Sequence, residues 1–333
     1  MERWETAGKR AAEADGTLPA RPARPPSGRP GGARPRGWWP DATGAALLGV
    51  MVAAQIATGL RPDDPRLTTV VVVLIAASAL AFASAATTPR RAAGAFGAAV
   101  AAGYAAEWIG TRTGLPFGDY HYTDVLWPRP GGVPLIVALA WGGMGLAAHA
   151  VAARAVPGRA VPARAVPARA VPARAVPAHA VPARAASGRA VAGRAVPYGA
   201  VGRVCLGAVA LTAWDLFLDP QMLRLGLWVW AEPGPYRGVP LGNLAGWLLV
   251  SLLVMTLIER IAHHPAPSPA PAAPGTAGRA GATGLVALYT VMAVMETIGF
   301  AVVFRPPDPL VAAAGGIAMG TCALLAWRGT WRK

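Results

Sequence analysis

Apolar residues in this chain gather into long runs, and short polar stretches separate them. Eight runs are legible, at 42–60, 67–86, 92–110, 133–153, 199–218, 239–262, 284–304 and 309–327. Each is close to the ~20 residues that a helix needs to cross the hydrocarbon core of a bilayer. The clearest, 67–86, reads LTTVVVVLIAASALAFASAA. Alanine, valine, leucine and glycine dominate the runs, and small residues let membrane helices approach closely. The recurrence of so many long runs argues against the buried helices of a soluble protein. The pattern predicts an all-α fold: a polytopic integral membrane helix bundle of about eight transmembrane helices.

The intervening stretches divide the chain. Residues 1–40 are Arg/Pro-rich, with no apolar core near Met1, and read as a disordered cytoplasmic tail without a cleavable signal peptide. Residues 41–153 hold helices 1–4 and a first polar motif. Residues 154–198 repeat a pentapeptide close to RAVPA, with His179 replacing one arginine. A five-residue period with frequent proline suits neither helix nor sheet, so a disordered or polyproline-like cytoplasmic loop is expected. Helices 5–6 and a second motif occupy 199–262, a Pro/Ala-rich linker 263–283, and helices 7–8 with a short tail 284–333.

Charge changes this picture less than its size suggests. The chain of 333 residues carries a net charge of +15, yet only 14% of its residues are charged, against about 25% in an average soluble domain. The arginines lie mostly in Pro/Ala-rich segments without interleaved aromatics, so nucleic acid is not the expected partner. They read instead as a topology signal. With eight spans, 24 of the 31 basic residues fall on the side that holds both termini and the RAVPA repeats. The positive-inside rule places that side in the cytoplasm, for a multi-pass protein of the cell membrane. The connections 111–132 and 219–238 then share the opposite face. Cys205 and Cys322 fall within apolar runs, so no disulfide framework is implied.

Those two connections carry the chemistry. The first motif runs EWIGTRTGLPFGDYHYTD from Glu107 to Asp124, then Gly132-Val133-Pro134-Leu135 and Trp141. The second runs WDLFLDPQM from Trp214 to Met222, then GLWVW, Gly238-Val239-Pro240-Leu241 and Trp247. Both thus contain GVPL, five residues, then Trp, a weak internal repeat that suggests two related units facing a shared site. Two independent proline-started helices would give the same signature.

Carboxylates within or beside spans are costly and usually face the bundle interior. Glu107 ends the third span, Asp215 and Asp219 end the fifth, and Glu296 lies near the middle of the seventh. Asp215 and Asp219, four apart, share a helix face. In an apolar setting two neighbouring carboxyls do not both ionise, so one is expected to keep a proton. Asn243 lies near the end of the sixth span and can join them. Glu259–Arg260 reads as an interfacial ion pair. Aromatics crowd the motif face, among them Trp108, Phe117, Tyr120, Tyr122, Trp127, Trp214, Phe217, Trp228, Trp230 and Tyr236. An interfacial belt accounts for some of these rings; beside an acid, their faces also suit a carbocation. The five histidines are too scattered for a membrane di-iron site, and no phosphate-cradling glycine loop occurs, so neither metal nor cofactor is expected.

Taken together, EWIGTRTGLPFGDYHYT, WDLFLDPQM with GLWVW, and the two GVPL segments resemble the carotenoid biosynthesis membrane proteins of bacteria and archaea. That family includes the bisanhydrobacterioruberin hydratase and γ-carotene 1′-hydroxylase types. The resemblance covers roughly 42–153 and 199–327. It implies a cofactor-independent hydratase that adds water across the terminal 1,2 double bond of an acyclic (ψ) carotenoid end, giving a tertiary alcohol. It also implies membrane lipid and other carotenoid-pathway enzymes as partners. On this reading Asp215 or Asp219 donates the proton, and Glu107 or Asp119 positions and deprotonates the water. Trp108, Tyr120, Tyr122, Trp214, Trp230, Asn243 and Glu296 contribute to substrate binding. A non-catalytic carotenoid- or lipid-binding scaffold or transporter is the main rival, and another isoprenoid-modifying membrane enzyme the third reading.

Overall fold

The computed structural model describes residues 38–61, 64–157, 198–262 and 276–331. The expectations of disorder for 1–37, 158–197 and 263–275 lie outside the described residues. Within them, eight long helices follow in order: α1 (Trp38–Leu60), α2 (Pro65–Ala86), α3 (Pro89–Thr113), α4 (Leu135–Ala155), α5 (Tyr198–Arg224), α6 (Leu241–Ala262), α7 (Thr276–Ile298) and α8 (Pro309–Trp331). A π-helical turn, Gly299–Val303, continues α7. Two three-residue strands, β1 (Tyr120–Tyr122) and β2 (Trp228–Trp230), pair in the motif connections.

Seven of the eight helices are long and apolar enough to cross a membrane, so the all-α polytopic membrane bundle expected from the runs is what the chain forms. The eighth, α3, is 25 residues long but carries Arg90, Arg91, Glu107 and Arg112 on an alanine- and glycine-rich frame. It packs between α4 and α6.

Local signals fix several helix ends. Asp64 accepts a hydrogen bond from the Arg66 amide (3.0 Å) just before Pro65, and Thr88 accepts one from the Arg91 amide (3.3 Å) just before Pro89. Side-chain oxygen at the cap and proline in the first turn together satisfy and pre-set a helix start. Gly114 ends α3 in the left-handed conformation, φ 71°, its N–H reaching the Gly110 carbonyl, an arrangement that glycine adopts without steric cost. Pro134 and Pro240 stand immediately before α4 and α6.

Helix α4 is the hub. It packs against α2, α3, α5, α7 and α8, and most of its residues are buried, as an all-round apolar helix requires. Since lipid is as apolar as leucine, contact between membrane helices depends on close packing. Large rings seat in glycine notches: a Cβ on Gly103 would lie 2.3 Å from the Trp141 ring.

The same device corrects the seventh span, expected from 284. Helix α7 begins at Thr276, within the stretch read as linker. Its TAGRAGATG start resembles a loop, but a Cβ on Gly284 would lie 2.2 Å from the Phe82 ring of α2. The glycines there make a helix contact. A second correction concerns Glu259. Adjacent helical residues point about 100° apart, and here Arg260 is exposed while Glu259 is buried. Glu259 meets Arg203 Nε of α5 at 3.0 Å and His149 Nε2 of α4 at 2.8 Å. This cluster lies at the end of α4 and α6 away from the motifs.

Candidate functional site

The two motif connections meet as an antiparallel ladder, Tyr120 opposite Trp230, His121 opposite Val229 and Tyr122 opposite Trp228. Side chains alternate across a strand, so Tyr120, Tyr122, Trp228 and Trp230 all face inward. Their rings touch across the ladder, Tyr120 to Trp230 at 5.0 Å and Tyr122 to Trp228 at 5.7 Å between centroids. Behind them Trp141 and Trp247, the tryptophans that follow each GVPL, stack at 4.1 Å with an interplanar angle of 16°. The weak repeat in the sequence thus corresponds to two units in face-to-face contact.

Beneath this aromatic roof lie the acids. Glu107, buried on α3, accepts hydrogen bonds from the Tyr120 hydroxyl, from the Tyr122 hydroxyl (2.7 Å) and from Trp141 Nε1 (3.2 Å). Asp215 and Asp219 stand one turn apart on α5, both buried. Asn243 of α6 donates its side-chain N–H groups to both, to Asp215 Oδ2 at 3.0 Å and to Asp219 Oδ2. Burial, and then the charge of Glu107, push the Tyr120 and Tyr122 phenols well above the usual tyrosine range, so both remain donors. Asp215 Oδ1, Trp228 Nε1 and Trp230 Nε1 are buried without a hydrogen-bond partner among the described residues.

These groups surround a small cavity. Glu107, Asp219 and Asn243 line it together with Phe117, the four ladder aromatics and Trp247. Its free space is about 40 Å³, roughly enough for two or three waters. Asp215 lies one step behind, against Asn243. A larger cavity of about 260 Å³ adjoins it, sharing Thr68, Val72, Leu218 and Met222, and is lined in addition by Trp214 and Glu296. Among the described residues no three His, Cys, Asp or Glu side chains converge to hold a metal ion.

Most of the residues singled out in the sequence are brought together here: Glu107, Tyr120, Tyr122, Asp219, Trp230 and Asn243 at the small cavity, Asp215 directly behind it, and Trp214 and Glu296 at its neighbour. Two are not. Asp119 precedes Tyr120, so strand alternation turns its side chain outward, and it is exposed. Trp108, next to Glu107 on the helix, is 43% exposed, with the Arg112 guanidinium 4.1 Å above its ring. Trp141 and Trp247 were marked only as repeat positions; the indole donor to Glu107 gives Trp141 a direct place in the site.

The motif that assembles this cavity lies within a region, residues 68–314, that matches the family model described as "Carotenoid biosynthesis protein". The chain belongs to the carotenoid biosynthesis protein family. No curated protein and no solved structure matches the chain. The carotenoid biosynthesis region runs from α2 into the first turns of α8, so it contains both halves of the ladder and every acid of the two cavities. Helix α1 lies before it.

Proposed function

We propose that this protein adds water across the terminal 1,2 double bond of an acyclic carotenoid end group. One observation carries the reading: two sets of buried acids, Glu107 with three donors and Asp215–Asp219 with one shared amide, meet a single cavity walled by aromatic rings. Asp219 lines that cavity and Asp215 does not, which favours Asp219 as the proton donor. Its O–H breaks as a C–H bond forms at C2, and positive charge develops on the tertiary carbon C1. The inward faces of Tyr120, Trp228 and Trp230 stabilise that charge. Water then forms the C1–O bond and passes a proton to Glu107, whose Tyr120, Tyr122 and Trp141 partners hold it in place. Proton return through the cavity waters restores Asp219. The product is a tertiary alcohol, with no change in oxidation balance beyond addition of water.

The test is pigment analysis in a host that makes an acyclic carotenoid. The wild type should raise the pigment mass by one water, and the new oxygen should carry the label of isotopically enriched water. Asp219→Asn, alone or with Asp215→Asn, should lower the rate by about 100-fold or more. Normal hydration by a well-expressed double variant would refute the acid assignment, and label from dioxygen would refute hydration itself. The larger apolar cavity also suits a carotenoid-binding scaffold; that reading requires the wild type to leave pigment mass unchanged.

A further inference from the structure

The larger cavity, between α1, α2, α5 and the end of α7, has walls mostly of aliphatic and thioether groups, such as Val71, Ile75, Met292 and Met295. Two side chains break that pattern. Glu296 is only 7% exposed and has no hydrogen-bond partner among the described residues. Among the described residues Gln55 Oε1 is buried without a partner, and Gln55 Nε2 reaches only Met292 Sδ at 3.4 Å. Met292 precedes Glu296 by one turn and shares its helix face, so the amide and the carboxyl look onto the same stretch of cavity.

Orphaned polar groups within a membrane protein are costly and mark a binding partner. A hydrocarbon chain satisfies neither group. A hydroxyl satisfies both, donating its proton to Gln55 Oε1 and accepting one from the Glu296 carboxyl in its protonated form. The shared wall of Thr68, Val72, Leu218 and Met222 joins this cavity to the acid cavity. On its other side Ile56, Leu60 and Ile298 are 53%, 79% and 46% exposed, so the cavity opens on the outer surface of the helices, where lipid would lie.

We propose that this cavity is a subsite for a tertiary isoprenoid alcohol, which Gln55 and Glu296 hold by its hydroxyl between the acid cavity and the lipid. The two cavities abut, so the hydroxyl concerned is that of the end just hydrated; the far end of a long polyene lies elsewhere. The choice of a tertiary alcohol rests on the hydration reading. The site itself rests on Gln55 and Glu296. Gln55 belongs to α1, outside the family match at 68–314.

The experiment uses the full chain in lipid nanodiscs, titrated calorimetrically against empty discs. The probes are dihydromyrcenol, a ten-carbon tertiary alcohol, and dihydromyrcene, the hydrocarbon of the same skeleton. The wild type should favour the alcohol by roughly tenfold, the scale of one or two added hydrogen bonds. Gln55→Leu with Glu296→Leu should abolish that preference while keeping hydrocarbon affinity, which reports an intact fold. Asp215→Asn with Asp219→Asn should retain the preference. Equal affinities in the wild type overturn the proposal, as does a preference that survives the leucine changes but disappears with the asparagine pair. Should the double leucine variant lose hydrocarbon binding as well, Gln55→Leu alone decides: a reduced preference supports the subsite and an unchanged one overturns it. A wild type that shows the preference but hydrates no acyclic carotenoid would sink the hydration reading and leave the alcohol site standing.

Discussion

Glu107 shows how much of the site depends on a single functional group. A carboxylate accepts on both oxygens, and here both are used: Oε2 takes the two tyrosine hydroxyls and Oε1 the Trp141 indole. Glutamine has the same size but only one accepting atom. In Glu107→Gln an N–H₂ group must therefore face either the indole, donor against donor, or the two phenols, whose O–H groups then lose their shared acceptor in a buried site. The expected outcome is a stability loss of about 1–3 kcal/mol and hydration lowered by about 100-fold or more, read from thermal unfolding in detergent and from pigment turnover. Conversion at wild-type rate would remove Glu107 from the mechanism. The acids themselves were legible in the sequence because a carboxylate beside a membrane span needs a reason. Gln55 was not, since one neutral amide in an apolar run gives no such signal. Asp119 and Trp108 fall outside both cavities for a shared cause: nearness to Tyr120 and Glu107 along the chain says nothing of direction, which strand alternation and helix rotation decide.

At the scale of elements, the start of α8 ties the motif connection to the bundle. Asp308 stands before Pro309, accepts a hydrogen bond from the Val311 amide (3.2 Å), and pairs with Arg237 through Nε at 2.7 Å and the guanidinium NH2 at 2.9 Å. Arg237 has φ 52°, a backbone region that non-glycine residues seldom adopt, and the two-pronged pair holds it there. Burial pushes the Asp308 carboxyl up, but the Arg237 hydrogen bonds, the Val311 amide and the charges of Arg237 and Arg224 outweigh it and hold it below the usual carboxylate range. A depressed folded value means that the stabilisation is present above the unfolded value of about 3.9 and is lost as pH falls through the folded one. Asp308→Ala should thus cost about 1–2 kcal/mol at neutral pH, as loss of a cap does, and the gap to wild type should close below about pH 4. A gap that is constant down to pH 3 would show that the charge contributes nothing. The helices were legible from their apolar runs, because a bilayer dictates their length. The β1–β2 ladder was not, since three-residue strands leave too short an alternation to read. Neither was the start of α7, where glycine serves contact with Phe82 and resembles loop composition.

At the scale of the whole molecule, the two motif segments follow one pattern of spacing and element order. Tyr120 lies thirteen positions after Glu107, as Trp228 does after Asp215; Tyr122 and Trp230 lie fifteen positions after the same two acids. Helix α3 leads through β1 to α4 as α5 leads through β2 to α6, and α4 packs on both α3 and α5. The ladder and the stacked tryptophans lie where the halves meet. Each motif begins with an acid and ends with GVPL and a tryptophan, which places the buried acids on the seam between them, as in membrane folds made from parallel repeats. The shared element order also requires that both motif connections lie at one face, with the end of α4 and the start of α5 at the other. We propose that the motif face points away from the cytoplasm, because the segments that eight spans assign to the opposite side carry 24 of the 31 basic residues in the sequence. Val125, 48% exposed in the first motif connection, is the reporter. In a variant with Cys205 and Cys322 replaced, Val125→Cys should react with a membrane-impermeant maleimide on intact cells. A cysteine within the RAVPA repeats should react only after the membrane is opened. The reverse pattern would put the site on the cytoplasmic face, where a newly formed tertiary alcohol would meet any enzyme that glycosylates it from a soluble sugar donor. The arginine repeats would then have to be explained by something other than topology.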